Sequence, residues 1–158
     1  MSGCQARSAA VARPREAGSA IIEFVFVAVI VMVPLVYLLV GVSVVQRSQL
    51  AVSTAAREVG RAYATSPGEA QSLPRAAAAL RLALADQGLA GDATLRFVAA
   101  EASCTAAAVT PHLAPGAQFA VCVTRHATLP AVPRVLAGRG VTTVGRYLVH
   151  VDEFRAPG

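Results

Sequence analysis

An acidic residue, Glu23, stands at the start of the most apolar stretch of the chain. The 22 residues from Phe24 to Val45 carry no charged side chain, and Gly18 lies five residues before Glu23. A carboxylate at the edge of a hydrocarbon phase is costly and usually has a partner. Cleavage between Gly18 and Ser19 would create a free α-amino group, and that amine on a neighbouring subunit would be such a partner. The spacing therefore predicts a processing junction at Gly18–Ser19 and an assembly role for Glu23.

A second interpretation of Glu23 is a plain acid at a helix N-terminus. The helix dipole stabilises a carboxylate there, and the side chain reaches the interface by snorkelling. A capping box would need an acid three residues after Ser19, where the chain has Ile22 instead. The dipole explanation leaves Gly18 without a role, but both interpretations stay open at this point.

The apolar run is long enough to cross a membrane. A hydrocarbon core about 30 Å thick needs roughly 20 helical residues, and residues 24–45 supply 22. A secretory signal peptide has an apolar core of only about 7–15 residues before its cleavage site. The small residues Ala51–Ser53, which resemble such a site, lie well past the end of this run. The length therefore favours a permanent single span.

Arginines on the two sides of the span predict its orientation. Three arginines within residues 7–15 precede the run, whereas Arg47 is the first basic residue after it. Basic flanks are retained on the cytoplasmic side of a membrane. We therefore expect a cytoplasmic N-terminus and an extracytoplasmic C-terminal region.

Composition and missing motifs argue against several classes of function. The formal net charge of the 158-residue chain is +5, but its arginines are scattered singly and tryptophan is absent. These features disfavour a nucleic-acid surface, which needs clustered basic residues or stacking aromatics. The sequence also contains no G-x-S-x-G, H-E-x-x-H or phosphate-binding glycine loop. We expect no catalytic residue, cofactor, metal or small-molecule substrate.

The cysteines separate by their expected side of the membrane. Cys4 precedes the processing junction, whereas Cys104 and Cys122 fall in the extracytoplasmic region, where disulfides persist. The sequence has no C-x-x-C pair, and its histidines show no ligand spacing, which disfavours a zinc site. We therefore expect a Cys104–Cys122 disulfide, whose loop of about 18 residues contributes on the order of 3 kcal/mol.

Two motifs resemble those of a known family. The basic leader, Gly18, Glu23 and the long apolar helix resemble the N-terminus of type IV prepilins. More narrowly, G-S-A-I-I-E-F at residues 18–24 and A-A-R-E-V-G-R-A at residues 55–62 are similar to two motifs of the TadE-like minor pilins and pseudopilins. The resemblance covers residues 13–66 and is loose beyond them.

The resemblance implies how the protein is processed and what it contacts. A prepilin peptidase would cleave after Gly18, and the new Ser19 amine would be methylated. The chain would serve with other pilins and assembly proteins in a Tad (tight adherence) pilus, an adhesion organelle. The resemblance also implies a bacterial cytoplasmic membrane as the location of the chain, with the cell surface as its destination after assembly. Common type IV pilins have Phe where this chain has Ser19, although Ser is usual in the TadE-like branch. The competing hypothesis is an uncleaved, single-pass, membrane-anchored extracytoplasmic module that binds a partner.

We therefore expect the chain to have three segments: a leader at 1–18, a membrane-spanning and extended helix at 19–65, and an α+β head at 66–158. Past the span, three- and four-residue spacing predicts a helix that continues to about Ala64. Its predicted apolar face is Val52, Ala55, Ala56, Val59, Ala62 and Tyr63, and its opposite face is Ala51, Thr54, Glu58 and Arg61.

The head is predicted to contain one further helix and a three-stranded antiparallel sheet. Ser72 as N-cap, Pro74 in the first turn and Gly88 at C′ bound the helix, with Leu73, Ala77, Leu80 and Leu84 on its apolar face. Alternating segments at 93–102, 117–129 and 141–154 predict the strands. On the second strand, Phe119, Val121 and Val123 share one face; on the third, Tyr147, Val149 and Val151 do.

Overall fold

The computed structural model describes residues 16–89, 91–128 and 140–154. Its elements follow the order α1 (Glu16–Ala64), α2 (Glu69–Asp86), β1 (Ala93–Ala99), β2 (Gln118–Ala127) and β3 (Val141–His150). The chain divides into two compact units, Met1–Leu39 and Val40–Gly158. The protein is thus α+β, as its sequence predicts. Cys4 and the leader before residue 16 lie outside the described residues.

The first unit contains the apolar half of α1. The helix continues through Pro34 without a break, and its side chains from Ile21 to Leu39 are exposed. Among the described residues, α1 is the one helix long and apolar enough to cross a membrane. A helix that is apolar all round needs another apolar phase around it, so this part of α1 is compatible with a single-pass anchor.

In the second unit, α1 ends where the sequence predicts. Thr65 and Ser66 close the last turn, because their hydroxyls donate to the Arg61 and Ala62 carbonyls at 2.8 and 2.6 Å. Pro67 follows and cannot continue the helix. The predicted buried face is largely confirmed, but Ala51 was wrongly placed on the outer side and is fully buried.

Helix α2 begins earlier than predicted. Gly68 is its N-cap, and Ser72 instead lies inside the helix, with its hydroxyl donating to the Glu69 carbonyl at 2.7 Å. Pro74 consequently lies in the second turn. The predicted face was wrong in its first half, because Leu73 and Ala77 are exposed. The residues of α2 that are buried are Ser72, Ala76, Leu80, Ala83 and Leu84.

The C-terminus of α2 confirms the predicted role of Gly88. Its φ is +66°, a left-handed conformation that glycine adopts without strain. The amide of Gly88 donates to the Ala85 carbonyl at 2.8 Å, and the amide of Leu89 donates to the Leu84 carbonyl at 2.9 Å. This pair of bonds is the Schellman motif, which satisfies the last carbonyls of the helix and turns the chain towards β1.

The sheet has the order β1-β2-β3, and both pairings are antiparallel. Helix-facing residues of β2 lie in the main core, which confirms the predicted face of Phe119, Val121 and Val123. Val149 and Val151 join them, whereas Tyr147 remains 38% exposed. The main core also contains buried residues of both helices. The opposite face of the sheet has a small separate cluster formed by Val98, Ala120 and Cys122, with Ala102 and Cys104 packed against it.

Strand β3 runs along α1, and glycines mark the two closest approaches. A Cβ atom on Gly145 would overlap the Val52 carbonyl oxygen and lie 2.7 Å from the Ser53 nitrogen. A Cβ atom on Gly60 would lie 2.8 Å from Cδ1 of Tyr147. The helix and the strand therefore touch backbone to backbone at the first site, and ring to backbone at the second.

An aromatic cluster fills the far end of this interface. Tyr63 of α1 lies with its ring centroid 4.9 Å from that of Phe97 and 5.3 Å from that of Phe119. The Tyr63 hydroxyl donates to the Pro111 carbonyl at 2.7 Å. Because a buried phenol needs a hydrogen-bond partner, this bond fixes the loop before β2 against the end of α1.

We expect Gly145→Ala to destabilise the head by about 1–3 kcal/mol, the usual cost of overpacking. The added methyl group meets backbone atoms of Val52 and Ser53, which cannot rotate away. Thermal unfolding of the full chain in detergent, followed by circular dichroism, measures the change. Gly68→Ala is the matched control, because nothing lies within 4 Å of its Cβ position; its loss should stay below about 1 kcal/mol, the effect of an N-cap exchange. Equal stability of Gly145→Ala and wild type would contradict the close approach.

Candidate functional site

The predicted processing junction lies within the first turns of α1. The helix begins at Glu16, so the backbone of Gly18 and Ser19 is helical. The side chains before Ile21 are outside the described set. The structure therefore gives the junction a backbone conformation, and its cleavage remains a prediction.

Glu23 is exposed on α1, one turn after Ser19. Among the described residues, no ion pair or hydrogen bond engages its carboxylate; the one described ion pair is His112–Glu69. Large apolar side chains surround it on the helix surface, including Ile22, which is 73% exposed, and Phe24, which is 74% exposed. The carboxylate is thus the single charge on a surface that is otherwise suited to lipid or to other apolar helices.

The second predicted site, the Cys104–Cys122 disulfide, is present. The two Cα atoms lie 5.6 Å apart. Cys122 lies on the central strand β2 and faces away from the helices, so the bond ties the segment after β1 to the face of the sheet opposite the main core. The expected pairing is confirmed.

Two arginines flank the disulfide in the same row of the sheet. Arg96 of β1 and Arg146 of β3 are both register partners of Cys122. Nη2 of Arg96 donates to the Ala106 carbonyl at 2.9 Å, and Nη2 of Arg146 donates to the Ala100 carbonyl. The disulfide and these arginines hold residues 100–106 over the outer face of the sheet. Nothing in the sequence showed that the three side chains form one row.

The histidines lie on separate elements. Nδ1 of His112 lies 3.3 Å from Oε1 of Glu69, near the start of α2. Nδ1 of His126, on β2, lies 3.1 Å from Oγ1 of Thr142, on β3. His150 is the last residue of β3. Within the described ranges, no group of three or more His, Cys, Asp or Glu side chains is placed to hold a metal ion. The acidic pair Asp152–Glu153 follows β3, where Asp152 accepts a hydrogen bond from the Phe154 amide at 2.9 Å.

Comparison with known proteins identifies no relative of this chain. The chain matches no protein-family model, no curated protein and no solved structure. The functional conclusion therefore depends on the residues and geometry described above.

The disulfide should be detectable in protein taken from the cell envelope. Non-reducing peptide mapping is expected to recover one peptide containing Cys104 linked to another containing Cys122, because the two Cα atoms lie 5.6 Å apart on the face of the sheet opposite the main core. Reduction should lower the free energy of unfolding by on the order of 3 kcal/mol, the chain-entropy effect of a loop this long. A Cys104→Ser, Cys122→Ser double variant controls for the reductant. Free alkylation of both thiols without reductant would contradict the pairing.

Proposed function

We propose that this chain is a TadE-like minor pilin or pseudopilin, a structural subunit of a Tad pilus or of its assembly machinery. The observation that carries the proposal is the spacing of Gly18 and Glu23 at the start of a long helix whose apolar surface is uncovered. A subunit of this kind needs a leader that is removed, an anchor that waits in the membrane and a carboxylate that identifies the correct neighbour. The proposal assigns each of these roles to residues 1–18, the apolar part of α1 and Glu23.

The continuity of α1 supports an assembly role. One helix of 49 residues includes both the apolar run and the helix face that packs under the sheet. A subunit that is later withdrawn from the membrane must carry its apolar segment along with its head, and one uninterrupted helix provides that connection. A stationary membrane-anchored module does not need this continuity, because a separate anchor joined by a flexible linker would be sufficient.

The proposed topology has the N-terminus in the cytoplasm and the head outside. The arginines before the apolar run favour this orientation. The Cys104–Cys122 disulfide supports it independently, because structural disulfides persist in oxidising compartments and are rare in the cytoplasm. In this proposal the head is a structural and interacting domain, not an enzyme, and its partners are a prepilin peptidase, other pilins and Tad assembly proteins.

Cleavage by a prepilin peptidase tests the proposal directly. Co-expression with the active peptidase should yield a chain that begins at Ser19, as measured by mass spectrometry of the N-terminus. An inactive peptidase variant is the control, and Gly18→Leu should block cleavage because it fills the position before the scissile bond. An intact 158-residue product with an active peptidase would favour the uncleaved membrane-anchored binding module instead.

Glu23→Gln should reduce assembly without reducing insertion or cleavage. The substitution keeps the side-chain shape and removes a charge that costs a few kcal/mol inside a membrane, so insertion should be at least as efficient as in wild type. Because the bond after Gly18 is unchanged, processing should continue. Co-purification with other pilins, or incorporation into sheared filaments, should fall.

Glu101→Gln, the same chemical change in an exposed turn of the head, is the matched control and should assemble normally. If Glu23→Gln assembles as well as this control while Gly18→Leu alone blocks assembly, Glu23 is only a helix N-terminal acid. The dipole interpretation would then replace the assembly role.

A further inference from the structure

The head begins without a spacer after the apolar run. The last six residues of the run, Val40–Val45, belong to the same compact unit as the head. Gly41, Val44 and Val45 are partly buried, and Ser48 is fully buried. If residues 24–45 fill the hydrocarbon core, part of the head must lie directly on the membrane surface.

Hydrogen bonds identify which end of the sheet lies there. The Ser48 and Thr143 hydroxyls are 2.9 Å apart, and Thr143 Oγ1 donates to the Arg125 carbonyl at 3.2 Å. The side-chain amide of Gln49 donates to the Val144 carbonyl at 3.0 Å. Because β3 then runs along α1 towards Gly60, its first residues are the ones nearest the span. We call Arg47, Arg125, His126, Val141 and Thr142 the span-proximal surface.

If the apolar run fills the hydrocarbon core, its length sets the depth of the span-proximal surface in the membrane. Ser48 is three residues beyond Val45, a rise of about 4.5 Å along an α-helix. The headgroup layer on each side of a bilayer is roughly 5–8 Å thick. The row of residues at Ser48 therefore falls inside this layer, and the exposed Val141 lies on the membrane side of that row.

The charge of this surface is one-sided. No acidic residue occurs between Phe24 and Arg57, and none occurs in β2 or β3. Asp92, which precedes the register partner of Arg125 in β1, makes no ion pair within the described part of the chain, where His112–Glu69 is the one pair found. Among the described residues, no carboxylate is therefore paired with Arg47 or Arg125.

Arg125 also has an unused hydrogen-bond donor. Its side chain is half-buried, and its Nε is buried without a hydrogen-bond partner among the described residues. A buried donor without an acceptor is uncommon and needs an explanation. The planar guanidinium group matches the geometry of phosphate oxygens, which accept two parallel hydrogen bonds.

We propose that the span-proximal surface binds anionic phospholipid headgroups, with Arg47 and Arg125 contacting the phosphates. The inference depends on the proposed insertion of α1 in a membrane, but not on cleavage or pilus assembly. A lipid is favoured over a protein partner because the position of Ser48 relative to the apolar run places this surface in the headgroup layer. Such contacts would hold the head in one orientation on the membrane until the subunit is withdrawn.

Lipid retention by the full chain tests this proposal. The chain is reconstituted in nanodiscs of phosphatidylcholine mixed with phosphatidylglycerol, and native mass spectrometry counts the lipids that stay bound after release. Wild type should retain phosphatidylglycerol in preference to phosphatidylcholine. Arg47→Gln and Arg125→Gln should each reduce this preference about fivefold, the usual effect of one basic residue near an anionic surface. Higher salt should reduce it as well.

The matched control is the double variant Arg57→Gln, Arg61→Gln, which removes two exposed arginines farther along α1. It should retain phosphatidylglycerol as wild type does, and an equal loss would overturn the site. Arg47→Gln keeps the test valid if Arg125→Gln fails to fold, because Arg47 is exposed on α1 and its replacement should leave the fold intact. Displacement of the lipid by inorganic phosphate at millimolar concentration would indicate a free-anion site and overturn the proposal. Insertion without lipid preference defeats this inference alone, whereas failure to insert also defeats the proposed function.

Discussion

The close contact between α1 and β3 is the constraint on which the head depends. At Gly145 the strand lies against the backbone of Val52, and at Gly60 the ring of Tyr147 occupies the space that a side chain of α1 would need. Because the two backbones approach so closely, small residues of α1 such as Ala55 and Ala56 can be fully buried. The head thus obtains a dense core from a sequence with few large apolar side chains.

The two faces of the sheet are covered in different ways. Helices α1 and α2 cover one face and bury a continuous core, which the Tyr63–Phe97–Phe119 cluster completes. No helix of the described ranges covers the other face, and residues 100–106 cover its centre through the Cys104–Cys122 bond and the two arginines beside it. A small head of this kind gains from a covalent link, since its apolar core is limited by its size.

The two units of the chain differ in how far their apolar side chains are buried. The second unit buries a core of apolar residues, whereas the first exposes every described side chain from Ile21 to Leu39. Such a helix is stable only in lipid or among other apolar helices, and these are the two environments that the proposed subunit would occupy in turn. Glu23 is the one charge on this helix surface. In the proposed assembly of subunits, a neighbouring α-amine would give this carboxylate a partner.

Much of this architecture follows from local sequence patterns. The apolar run, the stop at Ser66–Pro67, the Gly88 cap and the alternating strands are each determined by neighbours in the chain, so the α+β order could be predicted. The N-terminus of α2 was predicted too late, because serine ranks above glycine as an N-cap residue. In the structure Gly68 is the N-cap, and Ser72 is buried inside the helix. The burial of Ala51 could not be predicted either, since alanine fits a buried or an exposed face equally well.

The candidate sites also have some features that the sequence predicts and others that depend on tertiary contacts. The Gly18–Glu23 spacing and the choice of Cys104 and Cys122 as partners are properties of the sequence, because they depend on linear distance and on the side of the membrane. The position of Cys122 between Arg96 and Arg146, and that of Arg125 beside Ser48, depend on strand register and on the contact of β3 with α1. Residues 77 or more positions apart meet only when the sheet packs on the helix, and no local pattern specifies that distance of approach. The sequence alone therefore determined the elements and the membrane-grade helix, whereas the tertiary structure decided which residues of the sheet lie near Ser48 and which flank the disulfide.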